Sequence, residues 1–211
     1  VFQSMLKCHN QGKILSWKYM NNVHDILMDR GLEGVMFRND VDWALSYKVI
    51  SDDQDIFNFQ EKIGTQSSLS FYKDVKQHPG MELYMNNKND FYLTQLKFRA
   101  RTGCFMLQAD LERWGKGSGI CLLCNDECRD DLRHRLLRCP FFNPERLALF
   151  NDFKSTLPSP VWNEFLTLPE DSKLHWLLGN DVFLNYGHEI GFKFDSLTKR
   201  FLNKVYIKLK D

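Results

Sequence analysis

The sequence predicts an all-α, mainly helical fold: a helical array with one Cys/His knuckle embedded in it. Three observations predict it. Apolar residues recur at three- and four-residue spacing along most of the 211 residues. Residues that cap or stop helices stand where those stretches begin and end. Neither an alternating apolar–polar run of strand length nor an internal repeat is present.

Taken in order, residues 13–30 place Ile14, Trp17, Val23, Ile26 and Leu27 at helical spacing, and Gly31 follows where a helix C-terminus favours glycine. Asn39 or Asp40 can cap a second helix through Ala44, Leu45 and Val49, and Asp53 or Asp55 a third through Ile56, Phe59 and Ile63. Ser67 or Ser68 opens another, with Leu69, Tyr72 and Val75, that His78-Pro79-Gly80 must end. From Asn89 a helix with Phe91, Tyr92, Leu96 and Phe98 runs to about Gly103, and a short one is expected over 104–113. Residues 115–119, Gly-Lys-Gly-Ser-Gly, form a flexible loop. Pro144 suits the first turn of a helix carrying Leu149, Phe150, Phe153 and Leu157; further helices are expected at 161–167, 171–178 and 196–209. The last of them is basic, with Lys199, Arg200, Lys204, Lys208 and Lys210.

A hydrophobic content of 43% with 17 phenylalanines supplies a core, and excludes a disordered polar chain. The formal net charge of +1 excludes a histone-like polycation, so any nucleic-acid contact must come from local patches. No apolar run approaches the roughly 18 residues that span a bilayer, and Lys7, Lys13 and Lys18 interrupt anything like a signal peptide. These features lead us to expect a soluble intracellular protein of the nucleus or cytoplasm, with no membrane partner. The first residue is Val1, not methionine, which suggests part of a longer polypeptide. The expected organisation is a helical segment over 1–95, a metal-binding domain over 96–150 and a C-terminal helical segment over 151–211.

Four of the six cysteines fall between Cys121 and Cys139, a clustering that favours metal over a disulfide framework. Cys121-Leu-Leu-Cys124, nine residues, His134, four residues and Cys139 is a spacing suited to structural zinc, since a C-x2-C turn offers two thiolates from one knuckle. Asp130 or Asp131 can cap a short helix that carries His134. In a regular helix five residues at about 100° each leave His134 and Cys139 about 140° apart. The helix must therefore break, and Pro140 supplies the reason. Cys128 offers an all-cysteine alternative to the set with His134. Cys8 and Cys104 read as small buried hydrophobes.

These residues also resemble a family. Leu96-Lys-Phe-Arg99-Ala-Arg101, Leu111-Glu-Arg113-Trp114, Cys121-x2-Cys124, Asp130-Asp131, His134, Cys139-Pro140-Phe141-Phe142 and Arg146 are similar to the C-terminal zinc region of LINE-type, non-LTR retrotransposon reverse transcriptases. Ser16-Trp17, Ile26-Leu27, Gly31-Leu32 and Val35 extend the likeness upstream, so that it covers about residues 16–150; Cys128 is additional to the pattern, and 151–211 match nothing in it. The resemblance implies a part that follows a polymerase domain of the same polypeptide and helps hold template RNA or target DNA during target-primed reverse transcription. It does not imply polymerisation here: the only Asp-Asp pair with any such echo, Asp52-Asp53, lacks the aromatic and hairpin context, and reads as a helix cap.

Residues 97–146 hold ten Lys or Arg against seven Asp or Glu, a local net of +3. Arg99, Arg101, Arg113, Arg133, Arg135 and Arg138 are the candidate phosphate contacts, and Trp114 the candidate stacking surface. The plainer reading makes the arginines solvated helix faces and Trp114 a packing residue. His9, His24, His78, His175 and His188 form no second cluster, and no Ser-His-Asp set, phosphate-binding glycine loop, nuclease carboxylate set or small-molecule site is evident. The sequence therefore predicts a zinc-stabilised nucleic-acid-binding module without a catalytic centre of its own; the alternative is a zinc-stapled protein-interaction module.

Overall fold

The computed structural model describes residues 17–32, 43–76, 79–86, 90–124 and 126–208. Two compact units are distinguished, residues 1–59 and 60–211. The described residues are all-α, their only β pairing being the isolated bridge between Ile120 and Arg129. None of their helices is long and apolar enough to cross a membrane.

In the first unit α1 (Trp17–Asp29) ends as the glycine suggested. Gly31 takes φ +65°, the Gly31 amide donates to Met28 O at 2.9 Å and the Leu32 amide to Leu27 O at 2.7 Å. That pair of bonds is a Schellman cap, with Leu27 and Leu32 buried beside it. Arg30 then donates to Ser51 O at 3.1 Å and Ser51 Oγ at 2.9 Å. The two helices expected around 40–63 are one, α2 (Trp43–Gly64), which includes the boundary between the units. Asp53 and Asp55 cap nothing, because no proline or glycine stands between 43 and 63 and a cap signal without a breaker does not stop a helix. Asn39, Asp40 and Val35 lie outside the described residues.

The second unit holds α3 (Ser70–Val75), α4 (Phe91–Arg101), α5 (Gln108–Arg113), α6 (Asn143–Thr156), α7 (Ser159–Thr167), α8 (Glu170–Leu178) and α9 (Asp181–Ile207). Pro144 and Pro160 sit in the first turns of α6 and α7, where a missing amide costs nothing. The short helix expected over 104–113 begins only at Gln108; Met106 takes φ +66° just before it. Helix α9 packs on α4, α6 and α8. Between them Phe153 and Phe194 stack at 4.3 Å, and Phe165 meets both edge-on at 5.3 and 5.8 Å. Leu96, Leu136, Phe153 and Phe194 belong to one hydrophobic cluster.

Helix α9 has 27 residues where a helix was expected only over 196–209, and it is kinked. Gly187 takes φ 80° and ψ 175°, a region open to glycine almost alone. One turn later Gly191 lies under the Phe183 ring, where an added Cβ would sit 2.3 Å from Cδ1. Gly191→Ala is therefore expected to cost about 1–3 kcal/mol by overpacking, read as a lower urea midpoint at unchanged slope. An unchanged midpoint would show that the ring moves aside freely.

A short 3-10 turn, Leu83–Asn86, that no sequence signal announced puts Tyr84 into the core at 0% exposure. Lys97, Arg101 and Lys199 lie over its ring at 4.9, 4.9 and 5.6 Å. Two buried carboxylates answer these cations. Asp195 pairs with Lys97 at 2.7 Å and Lys199 at 2.6 Å, and Glu82 pairs with Arg101 at 3.0 Å and Lys76 at 3.2 Å. Burial alone would raise the Glu82 carboxyl, but Arg101, Asn180 and Lys76 outweigh it and hold it below its usual value.

Candidate metal centre

The knuckle is made by the chain returning on itself. The Cys121 amide donates to Cys128 O and the Asp130 amide to Gly119 O, both at 2.9 Å, which closes the loop that carries Cys121 and Cys124. Of the two acidic residues that follow, Asp131 is the helix cap: its Oδ1 accepts the His134 amide at 2.8 Å. Asp130 is instead buried at 0% exposure, accepting from Arg135 Nε at 2.8 Å and from the Gln108 amide at 2.9 Å. One carboxylate thus ties the first turn of α5 to the helix carrying His134.

That helix does not break between His134 and Cys139, as the spacing had suggested; it widens. The Cys139 amide donates to His134 O, five residues back, at 2.6 Å, so residues 134–138 form a π turn. With more residues per turn, a five-residue spacing returns to one face. Cys139 then leaves the helix at φ −53°, ψ 119°, the extended conformation that a following proline requires. The wide turn frees carbonyls at its C-terminal end. Buried Arg146 takes them, donating to Leu136 O at 3.1 Å and Cys139 O at 2.8 Å.

The result brings Cys121, Cys124, His134 and Cys139 together, with their ligand atoms all within 4.8 Å of one another. Cys121 Sγ is 3.9 Å from Cys139 Sγ, and Cys124 Sγ is 3.4 Å from His134 Nε2. A tetrahedral ion with ordinary bond lengths to sulfur and imidazole nitrogen needs edges of about 3.8 and 3.6 Å, so the four groups fit a metal ion. Cys121, His134 and Cys139 are 4%, 5% and 0% exposed and Cys124 is half-buried, and four protein donors complete a tetrahedron. Burial pushes the Cys139 thiol up to about 12 and raises that of Cys124 as well. Any divalent ion entering must displace those protons.

Cys128 is not in the group. Its side chain is exposed and turned to Asp126 O at 3.3 Å, while only its backbone serves the knuckle. Cys104 is also exposed, contrary to the buried role expected of it, since the turn around Met106 carries it outward. Cys8 lies outside the described residues.

The candidate nucleic-acid residues divide. Arg101 and Arg135 are not surface groups: at 0% and 1% exposure they are the buried partners of Glu82 and Asp130 and cannot reach a phosphate. Arg99 donates to Tyr206 Oη at 3.1 Å, tying α4 to α9. Arg113 spans Gly103 O at 2.7 Å and Asp110 Oδ1 at 2.9 Å. Arg133 and Arg138 stay solvent-facing but carry carboxylates, Arg133 that of Asp171 and Arg138, through Nε at 2.8 Å, that of Glu170. Trp114 is 42% exposed at the end of α5. In the basic tail, Lys199 is buried against Asp195 and Lys208 pairs with Glu145.

The roles of Asp130, Gln108 and Arg146 escaped the sequence reading. The Asp130–Arg135 spacing of five is not one of the three- or four-residue helix pairings, and nothing in a linear pattern shows that the pair is buried. Comparison with family models, with curated proteins and with solved structures finds no match to this chain.

Proposed function

We propose that the centre holds zinc as a structural ion, and that the unit built around it is a nucleic-acid-binding C-terminal module of a reverse transcriptase. Zinc is the reading the donors favour: three thiolates and one imidazole in a closed tetrahedral set suit a borderline-soft ion without redox chemistry. Cys121, Cys124, His134 and Cys139 hold it; the ion contributes folding energy and no reactive position.

The observation that carries the nucleic-acid reading is the one-sidedness of the metal-centre helix. His134, Arg135 and Leu136 are buried, while Arg133 and Arg138 are 41% and 56% exposed at the side chain. The spacing shared with LINE-type zinc regions, and exposed Trp114 next to Arg113, support the same reading. Template RNA or target DNA would be held by the guanidinium groups, with an unpaired base against the indole. Catalysis would belong to a polymerase domain of the same polypeptide.

Zinc-loaded protein is expected to bind a single-stranded RNA or DNA 20-mer with an affinity that falls about 7- to 20-fold between 50 and 200 mM salt, as two or three phosphate contacts imply. Fluorescence anisotropy across a salt series measures this. Absence of binding, or binding indifferent to salt, overturns the reading. A protein-interaction module is the second reading, favoured by Leu122, 72% exposed on the knuckle loop. Charge reversal at Arg133 and Arg138 separates the two, because it would leave nucleic-acid affinity untouched only in the second.

A further inference from the structure

We infer that Glu170 and Asp171, at the start of α8, form an acidic latch over the two outward arginines of the metal-centre helix, and that a nucleic-acid backbone binds by displacing it. The inference rests on the nucleic-acid reading above and adds its regulation. Two adjacent carboxylates hold the two solvent-facing arginines: Asp171 takes Arg133, and Glu170 takes Arg138 through a single oxygen, Oε2. The third arginine of the helix, Arg135, is locked to Asp130 in the interior and takes no part.

The latch is built to open. Side-chain exposures are 41% and 68% for Arg133 and Asp171, and 56% and 42% for Arg138 and Glu170, so both pairs are screened by solvent and exchange readily. The released carboxylates are not stranded, because the first turn of α8 keeps them at the favourable end of the helix dipole. Arg133 and Asp171 line a cleft of about 570 Å³ in which Arg113 is paired with Asp110 and where Asp74 and Asp131 add further carboxylates, so removing the Asp171 contact lowers the acidic excess around Arg133. A phosphodiester, with paired acceptor oxygens for a guanidinium fork, replaces the carboxylate on equal geometric terms.

The test compares three zinc-loaded versions of the 211-residue chain on a labelled single-stranded 20-mer: wild type, Glu170→Gln/Asp171→Asn, and Asp152→Asn/Glu189→Gln. The last removes two exposed carboxylates away from the arginines and reports the general effect of charge. The latch variant is expected to bind about fivefold more tightly than this control at 50 mM salt with an unchanged salt slope, because it makes the same phosphate contacts without first displacing a carboxylate. Equal gains in both variants, or none, overturn it while leaving the nucleic-acid reading in place if wild type binds. No binding by any of the three overturns both.

Discussion

Protein carrying Cys139→Ser will purify without stoichiometric metal and will lose the order of residues 104–142, whereas Cys128→Ser will retain both. The contrast follows from where the two thiols stand. Cys139 is at 0% exposure with Cys121 Sγ 3.9 Å away, and it closes the tetrahedron from the far end of the π turn. Cys128 lends the knuckle a backbone carbonyl and faces solvent with its sulfur. Structural zinc sites carry apparent binding energies of about 10 kcal/mol, and that energy is folding energy for the segment which holds the ligands. Loss should stop short of the whole unit. The aromatic packing of Phe153, Phe165 and Phe194 joins α6, α7 and α9 without a metal ligand among them. Elemental analysis gives the metal content, and amide hydrogen exchange localises the loss; a chelator added to wild-type protein should reproduce the Cys139→Ser exchange pattern. Full metal content in Cys139→Ser, or its loss in Cys128→Ser, would sink the assignment of ligands.

The ligand set could be read in the sequence because it depends on residue type and spacing, and those survive without coordinates. Helix existence was legible for the same reason: Gly31 and Pro144 act locally, and they end and begin helices where a local rule places them. What failed was everything decided by partners distant in sequence. Arg101 and Arg135 look like surface cations in a string of letters; only Glu82, 19 positions earlier, and the fold around Asp130 make them interior groups. Length of α9 failed similarly: a helix was expected only over 196–209, whereas it runs from Asp181 through a kink at Gly187 and past Gly191, the seat for Phe183. Even the metal helix was half legible. Its need to depart from regular geometry followed from the five-residue step from His134 to Cys139, but the choice of widening over breaking depended on Arg146 being there to take the loosened carbonyls.

Asp195→Asn will destabilise the second unit by about 3–5 kcal/mol, the usual consequence of removing one member of a buried ion pair and leaving the other uncompensated. Here the stranded charge is double: Lys97 and Lys199, 1% and 0% exposed, each keep an ammonium on a different oxygen of the one carboxylate. Burial already holds the Lys97 pKa below its ordinary value, with Asp195 acting against that shift. Without Asp195 burial acts on Lys97 unopposed, and the folded state releases the Lys97 proton more readily than the unfolded chain does. The unfolded state then binds more protons, so stability of the variant rises with pH, and its deficit against wild type shrinks on approach to the lysine range near 10.4. Lys97→Met/Asp195→Leu/Lys199→Met, which removes all three charges together, should recover most of the loss. It should fall short by about 1–3 kcal/mol, because Tyr84 O loses the 2.8 Å hydrogen bond from Lys199 Nζ and stays buried without a replacement. Urea midpoints at pH 7 and pH 9 for wild type and both variants measure each of these differences. If the triple variant is no more stable than Asp195→Asn, unpaired charge is not what the single substitution exposes, and the cations around Tyr84 contribute through packing of their stems instead.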